Sequence, residues 1–232
     1  MSGTTTPEGR LIAICGIDGS GKTTQTDLLA DRVKAEGHRV RPISFPRYGE
    51  GFFADLIERY LSGEFAPRAG EVSPYLAALP YACDRWEAAS RVREWLGEGS
   101  VVVCNRYVPA NMAHQGSKMD SSGERGAFYE WVEALEYGVF DLPRPDLHVL
   151  LEMPVEVAMC LVRGRGETER LPAGRDIHES DADHLERTAS AYREIAARSQ
   201  DAWAVISCAE GGAALAPSEI ADRVWAKVRG VL

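Results

Sequence analysis

The segment at residues 16–24, GIDGSGKTT, has the residue types and spacing of a phosphate-binding loop. It fits G-x-x-x-x-G-K-[ST], in which glycines allow backbone N–H groups to approach phosphate oxygens closely. The ammonium group of Lys22 would lie on the transferring phosphates, and the hydroxyl of Thr23 would ligate a magnesium ion. The whole loop is expected to bind a nucleoside triphosphate, through Gly16, Ile17, Asp18, Gly19, Ser20, Gly21, Lys22, Thr23 and Thr24.

The sequence on either side of this loop supports the interpretation. Residues 11–15 form a short apolar run, typical of a strand buried on both faces. Residues 23–36 carry apolar side chains at helical spacing and end before Gly37, a common residue after a helix. The loop should therefore join a strand to a helix N-terminus, where amide donors and the helix dipole favour an anion. An ordinary glycine-rich turn is the alternative, and the agreement of both flanks disfavours it.

Apolar strand-like runs alternate with amphipathic helical stretches along the chain, as in a doubly wound parallel sheet. The runs that predict strands are residues 11–15, 40–45, 101–105, 147–152 and 202–207. The stretches that predict helices lie near residues 23–36, 53–61, 74–96, 125–137, 155–163, 181–198 and 218–228. The expected fold is one α/β domain over residues 1–232, of the P-loop NTPase type, with a five-stranded parallel sheet and helices on both faces.

The composition of the chain argues against some classes of binding partner. A formal net charge of −9 argues against a general nucleic-acid binder, which needs a basic field. The five cysteines have no C-x-x-C spacing and mostly lie in apolar runs, as reduced, buried cysteines do. We find no apolar signal core and no apolar stretch of membrane-spanning length, so we expect a cytoplasmic protein with no membrane partner.

Two arginines follow predicted strands at the carboxyl edge of the sheet, where ligands of such sheets bind. Arg47 lies in FPRYG after the second strand, and Arg106 lies in NRY after the third. A single arginine at a strand end is commonly a solvated surface residue. Two of them beside a phosphate loop instead predict a second anion-binding position.

Tyr81 and Arg85 are four residues apart on the third predicted helix, so they project from the same face. A tyrosine ring can stack on a pyrimidine while a guanidinium donates to a carbonyl oxygen of the base. A tyrosine at helical spacing, taken alone, is more often a core residue.

Residues 163–179 carry four arginines separated by glycines, and helical periodicity stops there. A cationic loop jointed by glycines could close over a triphosphate, exclude water and stabilise developing negative charge. The alternative is a solvated charged segment that its own acidic residues neutralise. The arginines are Arg163, Arg165, Arg170 and Arg175.

Taken together, these segments resemble the thymidylate kinase family. The resemblance extends from about residue 10 to residue 197 and rests on five segments in order: the phosphate loop, FPRYG, SPYLAALPYACDRWE, NRYVPANMAHQGSK and the arginine-rich stretch. It implies transfer of the γ-phosphoryl group from ATP to dTMP with Mg²⁺ present, giving dTDP and ADP. It also implies a homodimer, packed through helices such as those that contain Trp86 and Trp131.

The resemblance implies a role for each matching residue. The acceptor site would hold the sugar 3′-hydroxyl, the phosphate and the thymine of dTMP through Asp18, Arg47, Tyr48, Tyr81, Arg85, Arg106, Asn111 and Gln115. Arg163 would cover the adenine of ATP. The catalytic set would be Lys22, Asp18, Arg106, Arg170 and Arg175.

Two positions depart from the family pattern. Asn105 stands where many members have an aspartate near the metal, and His114 stands where many have an aromatic residue that excludes a ribose 2′-hydroxyl. Metal affinity and sugar selectivity are therefore open. Two other functions stay open as well: a related kinase for another acceptor, such as dUMP or thymidine, and a nucleotide-binding sensor without catalysis.

Overall fold

The computed structural model describes residues 9–66, 71–164 and 182–232. Over these residues five parallel strands form one sheet in the order β2-β3-β1-β4-β5. The strands are β1 (Arg10–Cys15), β2 (Val40–Ser44), β3 (Val101–Asn105), β4 (Leu147–Glu152) and β5 (Trp203–Ser207). The predicted α/β fold with a five-stranded parallel sheet is confirmed.

Helices cover both faces of the sheet. They are α1 (Lys22–Ala35), α2 (Phe52–Leu61), α3 (Pro74–Gly97), α4 (Val108–Gly116), α5 (Ser122–Glu133), α6 (Val155–Gly164), α7 (Ala182–Ala197) and α8 (Pro217–Val228). The last turns of α5 continue as a π-helix over Ala134–Val139. A short hairpin pairs Ala209–Glu210 with Ala213–Ala214.

The sequence patterns did not predict α4, because this helix is buried. Every residue of α4 except His114 is buried, because the helix packs against α3, α5 and α7. A helix enclosed on all sides has no polar face, so the alternation that marks an amphipathic helix is missing. The start of α5 also differs from its prediction at residue 125. A capping box, in which Ser121 and Glu124 exchange side-chain and backbone hydrogen bonds, starts the helix at Ser122.

The sheet brings the polar strand ends together. Strand β1 lies between β3 and β4, and its residues from Leu11 to Cys15 are fully buried. Ile14 pairs with Asn105 at the end of β3, and Ser44 at the end of β2 pairs with the same residue. The segments after β1, β2 and β3 therefore leave the sheet side by side.

The cysteines are all free thiols. Three are buried, whereas Cys83 is half-buried and Cys160 is exposed on α6, so the expectation of burial fails for that residue. Among the helices of the described ranges, none has the length and apolar character needed to cross a membrane.

Candidate active site

The predicted phosphate loop connects β1 directly to α1. Gly21 precedes the helix in a left-handed conformation, with φ of 86°, and provides no side chain to cap the first N–H groups. These amides need acceptors from elsewhere, which a bound phosphate can supply. Gly19 also has positive φ, and a Cβ atom there would lie 2.5 Å from the carbonyl oxygen of Ala158. Helix α6 thus approaches the loop so closely that only glycine fits at residue 19.

Three charged side chains meet at the end of this loop. The Nζ atom of Lys22 donates to the carbonyl oxygen of Ile17 at 2.7 Å and lies 3.5 Å from Oδ1 of Asp18. The same Asp18 oxygen accepts from Nη2 of Arg106, which follows β3. Nη1 of Arg106 lies 3.1 Å from Nε2 of His114, and because a guanidinium can only donate, that ring nitrogen is the acceptor.

This proximity controls the protonation of the cluster. Burial alone would raise the pKa of Asp18, but the positive charges of Arg106 and Lys22 outweigh it and hold that pKa well below its usual range. Burial, together with repulsion from Arg106, lowers the pKa of Lys22 to about 7. Burial also acts to lower the pKa of Arg106, yet the Asp18 charge raises it above its ordinary value.

The backbone of Arg106 is held in an unusual conformation. Its φ of 67° lies in the left-handed region, which few residues other than glycine occupy. Its N–H group donates to the carbonyl oxygen of Ile14 in β1 at 2.9 Å, which fixes the turn after β3. Such strain costs on the order of 1–3 kcal/mol and is concentrated at functional sites. The Arg106 guanidinium that this turn carries contacts Asp18.

Beside this cluster lies a cavity of about 80 Å³. It is bordered by the loop after β2, the helices α2, α3 and α4, the turn after β3 and the phosphate loop. Its lining residues are Asp18, Phe45, Pro46, Tyr48, Leu61, Tyr81, Arg85, Arg106, Ala110, Asn111, His114 and Gln115. The structure therefore brings together every predicted acceptor-site residue except Arg47.

Arg47 lies next to the cavity wall, but its guanidinium forms ion pairs with two carboxylates. Its Nε atom donates to Asp84 at 2.9 Å, and its Nη2 atom donates to Glu87 at 2.5 Å. Asp84 is fully buried and also accepts from the backbone N–H of Arg47 at 3.1 Å. Contact between Arg47 and a phosphate stays a prediction, and Nη1 is the guanidinium nitrogen without a hydrogen bond to the described residues.

One residue of the site had no signal in the sequence. Glu136, on the π-helix, is fully buried behind the cavity wall. Its carboxylate accepts from Arg85 through Nε at 2.6 Å and Nη2 at 2.7 Å, and from Nδ2 of Asn111 at 2.9 Å. Burial acts to lower the pKa of Arg85, but Glu136 raises it, so the guanidinium stays charged. Only the need of a buried arginine for a counter-ion could have indicated such a residue.

The residues near Thr23 fit a magnesium ion. Nδ2 of Asn105 lies 3.4 Å from the Thr23 hydroxyl, and Oδ1 of Asn105 is buried without a hydrogen-bond partner among the described residues. A hydroxyl and an amide oxygen suit Mg²⁺, which commonly binds one or two protein ligands together with substrate phosphates. The described ranges contain no cluster of three His, Cys, Asp or Glu side chains that could hold a metal by itself.

The arginine-rich stretch is described only at its start. Arg163 is exposed in the last turn of α6, the helix that passes over Gly19. Arg170 and Arg175 lie outside the described residues. The roles assigned to these three arginines stay predictions.

A phosphate-binding loop on a central parallel strand, linked by one carboxylate to a neighbouring cavity, is typical of P-loop phosphotransferases. The family model for thymidylate kinase matches residues 14–215. The chain belongs to the thymidylate kinase family, as its sequence motifs indicated.

Individual relatives agree with this family. The chain is 36% identical to a thymidylate kinase of Mycobacterium tuberculosis, over 81% of this chain and 86% of the relative. It is 32% identical to a thymidylate kinase of Thermomicrobium roseum, over 94% of this chain and 93% of the relative. A solved thymidylate kinase structure from Candida albicans superposes with a TM-score of 0.71, at 20% identity, over 96% of this chain and 92% of that chain. At that identity, the last likeness supports the fold.

Proposed function

We propose that this chain transfers the γ-phosphoryl group of ATP to dTMP, giving dTDP and ADP. The observation that carries the proposal is the contact of Asp18 with Lys22 on one side and Arg106 on the other. Asp18 belongs to the phosphate loop and also lines the neighbouring cavity. A donor phosphate on the loop and an acceptor phosphate at Arg106 would therefore lie next to each other.

In this proposal dTMP occupies the cavity. Tyr81 stacks on the thymine ring, while Arg85 donates to a ring carbonyl oxygen and Asn111 accepts from the ring N–H. Gln115, whose Oε1 accepts from Lys118 at 2.6 Å, completes the base edge. The acceptor phosphate and sugar contact Arg106, Arg47, Tyr48 and Asp18.

ATP occupies the glycine-rich loop on the other side of Asp18. The backbone amides from Gly19 to Thr24 hold the β- and γ-phosphates, and Lys22 neutralises them. Thr23, with Asn105 beside it, holds Mg²⁺, which would neutralise phosphate charge when bound. Arg163 covers the adenine, and Arg170 and Arg175 approach the transferring group.

The chemistry requires positioning more than proton transfer. A phosphate monoester with a second pKa near ~6 is largely dianionic at neutral pH, so its oxygen can attack the γ-phosphorus without a general base. A bond forms between that oxygen and phosphorus, the bond to the bridging oxygen of ADP breaks, and ADP leaves with the electron pair. The protein supplies alignment and positive charge, from Lys22, Arg106, Arg170 and Arg175.

A panel of acceptors tests the reaction directly. With ATP and Mg²⁺, the purified chain should phosphorylate dTMP with the highest kcat/KM among dTMP, dUMP, dCMP, UMP and thymidine, measured as ADP release coupled to NADH oxidation. A higher rate with thymidine would contradict the proposal, because the paired arginines would then have no phosphate to bind. ATP binding without turnover of any acceptor would instead indicate a sensor.

The pKa of Lys22 predicts a proton uptake on nucleotide binding. With a pKa of about 7, Lys22 is mostly neutral at pH 8.5 and mostly charged at pH 6. Because the phosphates of ATP favour the charged ammonium, binding at pH 8.5 should take up about one proton and binding at pH 6 far less. Calorimetry in buffers of different ionisation enthalpy measures this difference.

Two variants, each of which replaces a lysine with arginine, provide the test and the control for that experiment. Lys22→Arg should remove most of the uptake at pH 8.5, since arginine is already charged at that pH, whereas the γ-phosphate of ATP titrates nearer pH ~6. Lys34→Arg, at an exposed position of the same helix, should leave it unchanged. Equal uptake in the wild type and Lys22→Arg would show that another group titrates.

We also propose that the chain forms a homodimer through α3 and its neighbours. Trp86 on α3 is 52% exposed, and its ring lies 6.0 Å from that of Phe140. Val139, the neighbour of Phe140 in the chain, is 74% exposed, and adjacent exposed apolar side chains favour an interaction surface. Sedimentation equilibrium should return twice the chain mass of 25.4 kDa, and Trp86→Glu should return the single mass. A monomeric wild type would refute the dimer.

We place the enzyme in the cytoplasm, which its five free thiols support because that compartment is reducing. Cell fractionation tests this placement.

A further inference from the structure

The cavity wall that faces a bound base is held in place from behind by a single carboxylate. Glu136 has no exposed surface and accepts hydrogen bonds from Arg85 on α3 and Asn111 on α4. Both partners line the cavity, whereas Glu136 does not. Its side chain therefore acts on a ligand only through these two residues.

Glu136 fixes which way the Asn111 amide points. Nδ2 of Asn111 lies 2.9 Å from Glu136 and 3.1 Å from the carbonyl oxygen of Ala78. A carboxylate and a carbonyl can only accept, so the group that faces them must be the NH₂. The carbonyl oxygen of the amide, Oδ1, is then the atom left for a ligand. It is buried and has no hydrogen-bond partner in the described part of the chain, on a residue that is 3% exposed and lines the cavity.

The same carboxylate orients the guanidinium of Arg85. Nε and Nη2 donate to its two oxygens in a bidentate arrangement, at 2.6 and 2.7 Å. Of the three guanidinium nitrogens, Nη1 is the one without a hydrogen bond to the described residues. Arg85 is 3% exposed and lines the cavity, so its remaining donor is positioned for a ligand there.

The cavity wall consequently presents one hydrogen-bond donor, Nη1 of Arg85, and one acceptor, Oδ1 of Asn111, in a fixed order. A pyrimidine with a carbonyl at C4 and an N–H at N3 matches it, with the carbonyl on Arg85 and the N–H on Asn111. A pyrimidine with an amino group at C4 and an unprotonated N3 presents the reverse pattern. Its amino group would face the Arg85 guanidinium, so that two donors would meet. Its N3 would face Oδ1 of Asn111, so that two acceptors would meet.

The backbone around Glu136 has an uncommon helical conformation. The residue lies in the π-helix Ala134–Val139, directly after α5. π-helical turns are rare and are frequently found at functional sites. This turn carries Glu136 against Arg85 of α3 and Asn111 of α4.

We propose that Glu136 is a positioning residue that sets base specificity: by orienting Arg85 and Asn111, it selects 4-oxo pyrimidine nucleotides against 4-amino ones. The inference rests on the proposed function, since it assumes that the cavity holds the pyrimidine. Glu136 itself does not touch the substrate. Its removal should therefore change which base is accepted more than it changes the phosphoryl transfer.

The test is the variant Glu136→Gln, assayed with dTMP, dUMP and dCMP. A glutamine provides one acceptor oxygen instead of two, so either Arg85 loses a partner or the Asn111 amide is free to rotate. We expect the ratio of kcat/KM for dTMP to that for dCMP to fall at least tenfold, through a higher KM for dTMP. The ratio for dTMP to dUMP should stay unchanged, because both carry the same base edge, and the KM for ATP should not move.

A second ion pair of the same geometry provides the control. Glu194 on α7 accepts from Nε of Arg125 at 3.0 Å and from Nη2 at 2.8 Å, and does not line the cavity. Glu194→Gln should leave both acceptor ratios at the wild-type values. A thermal unfolding curve for each variant separates loss of fold from loss of specificity.

The outcomes are distinct. If Glu136→Gln lowers the rates with dTMP and dCMP by the same factor, Glu136 is only structural and the proposal is wrong. If that variant does not fold, Glu136→Asp, which keeps the charge on a shorter side chain, should lower the dTMP to dCMP ratio in the same direction, and an unchanged ratio would overturn the proposal. A wild type that does not phosphorylate dTMP would instead refute the proposed function itself.

Discussion

The charge balance around Asp18 is the constraint on which the site depends. Its carboxylate lies between an ammonium that belongs to the phosphate loop and a guanidinium that belongs to the turn after β3. Without Asp18, two positive charges would be confined in a poorly solvated space, at a cost of several kcal/mol. With it, both cations are kept close together and remain available to phosphates. The carboxylate thus links the phosphate loop to the turn after β3.

The parallel sheet makes this arrangement possible. Because β1 and β3 are adjacent and parallel, the residues that follow them leave the sheet at the same edge. In the turn after β3, the backbone of Arg106 adopts the strained left-handed conformation, and its side chain contacts Asp18. The cavity has a second counter-charge behind its wall in Glu136, which neutralises Arg85 as Asp18 neutralises Arg106. Arg85 and Arg106, which both line the cavity, are therefore each paired with a carboxylate from another element.

The sequence predicted the features that local patterns encode. Residues 11–15 and 147–152 were identified as strands because fully buried strands are continuous apolar runs. The loop at residues 16–24 was identified because its glycines and Lys22 follow a fixed spacing. Helix α4 was missed because a helix buried on all sides has no amphipathic period.

Long-range pairing is what local patterns do not encode. Arg85 and its partner Glu136 are 51 residues apart, and no spacing rule relates them. Position after a strand indicated Arg47 as a phosphate ligand, but its carboxylate partners, Asp84 and Glu87, come from a helix far along the chain. Side-chain partners of buried charges thus required the structure, whereas the fold and the loop did not.

The most direct test of this account is a crystal structure of the chain with dTMP and a non-hydrolysable ATP analogue bound together. The dTMP phosphate is expected to contact Arg106, with its attacking oxygen about 3–3.5 Å from the γ-phosphorus and the analogue on the glycine-rich loop. Asp18 is expected to lie between the two nucleotides. A structure with the dTMP phosphate on the loop amides, or with the two nucleotides on opposite sides of the sheet, would contradict this account.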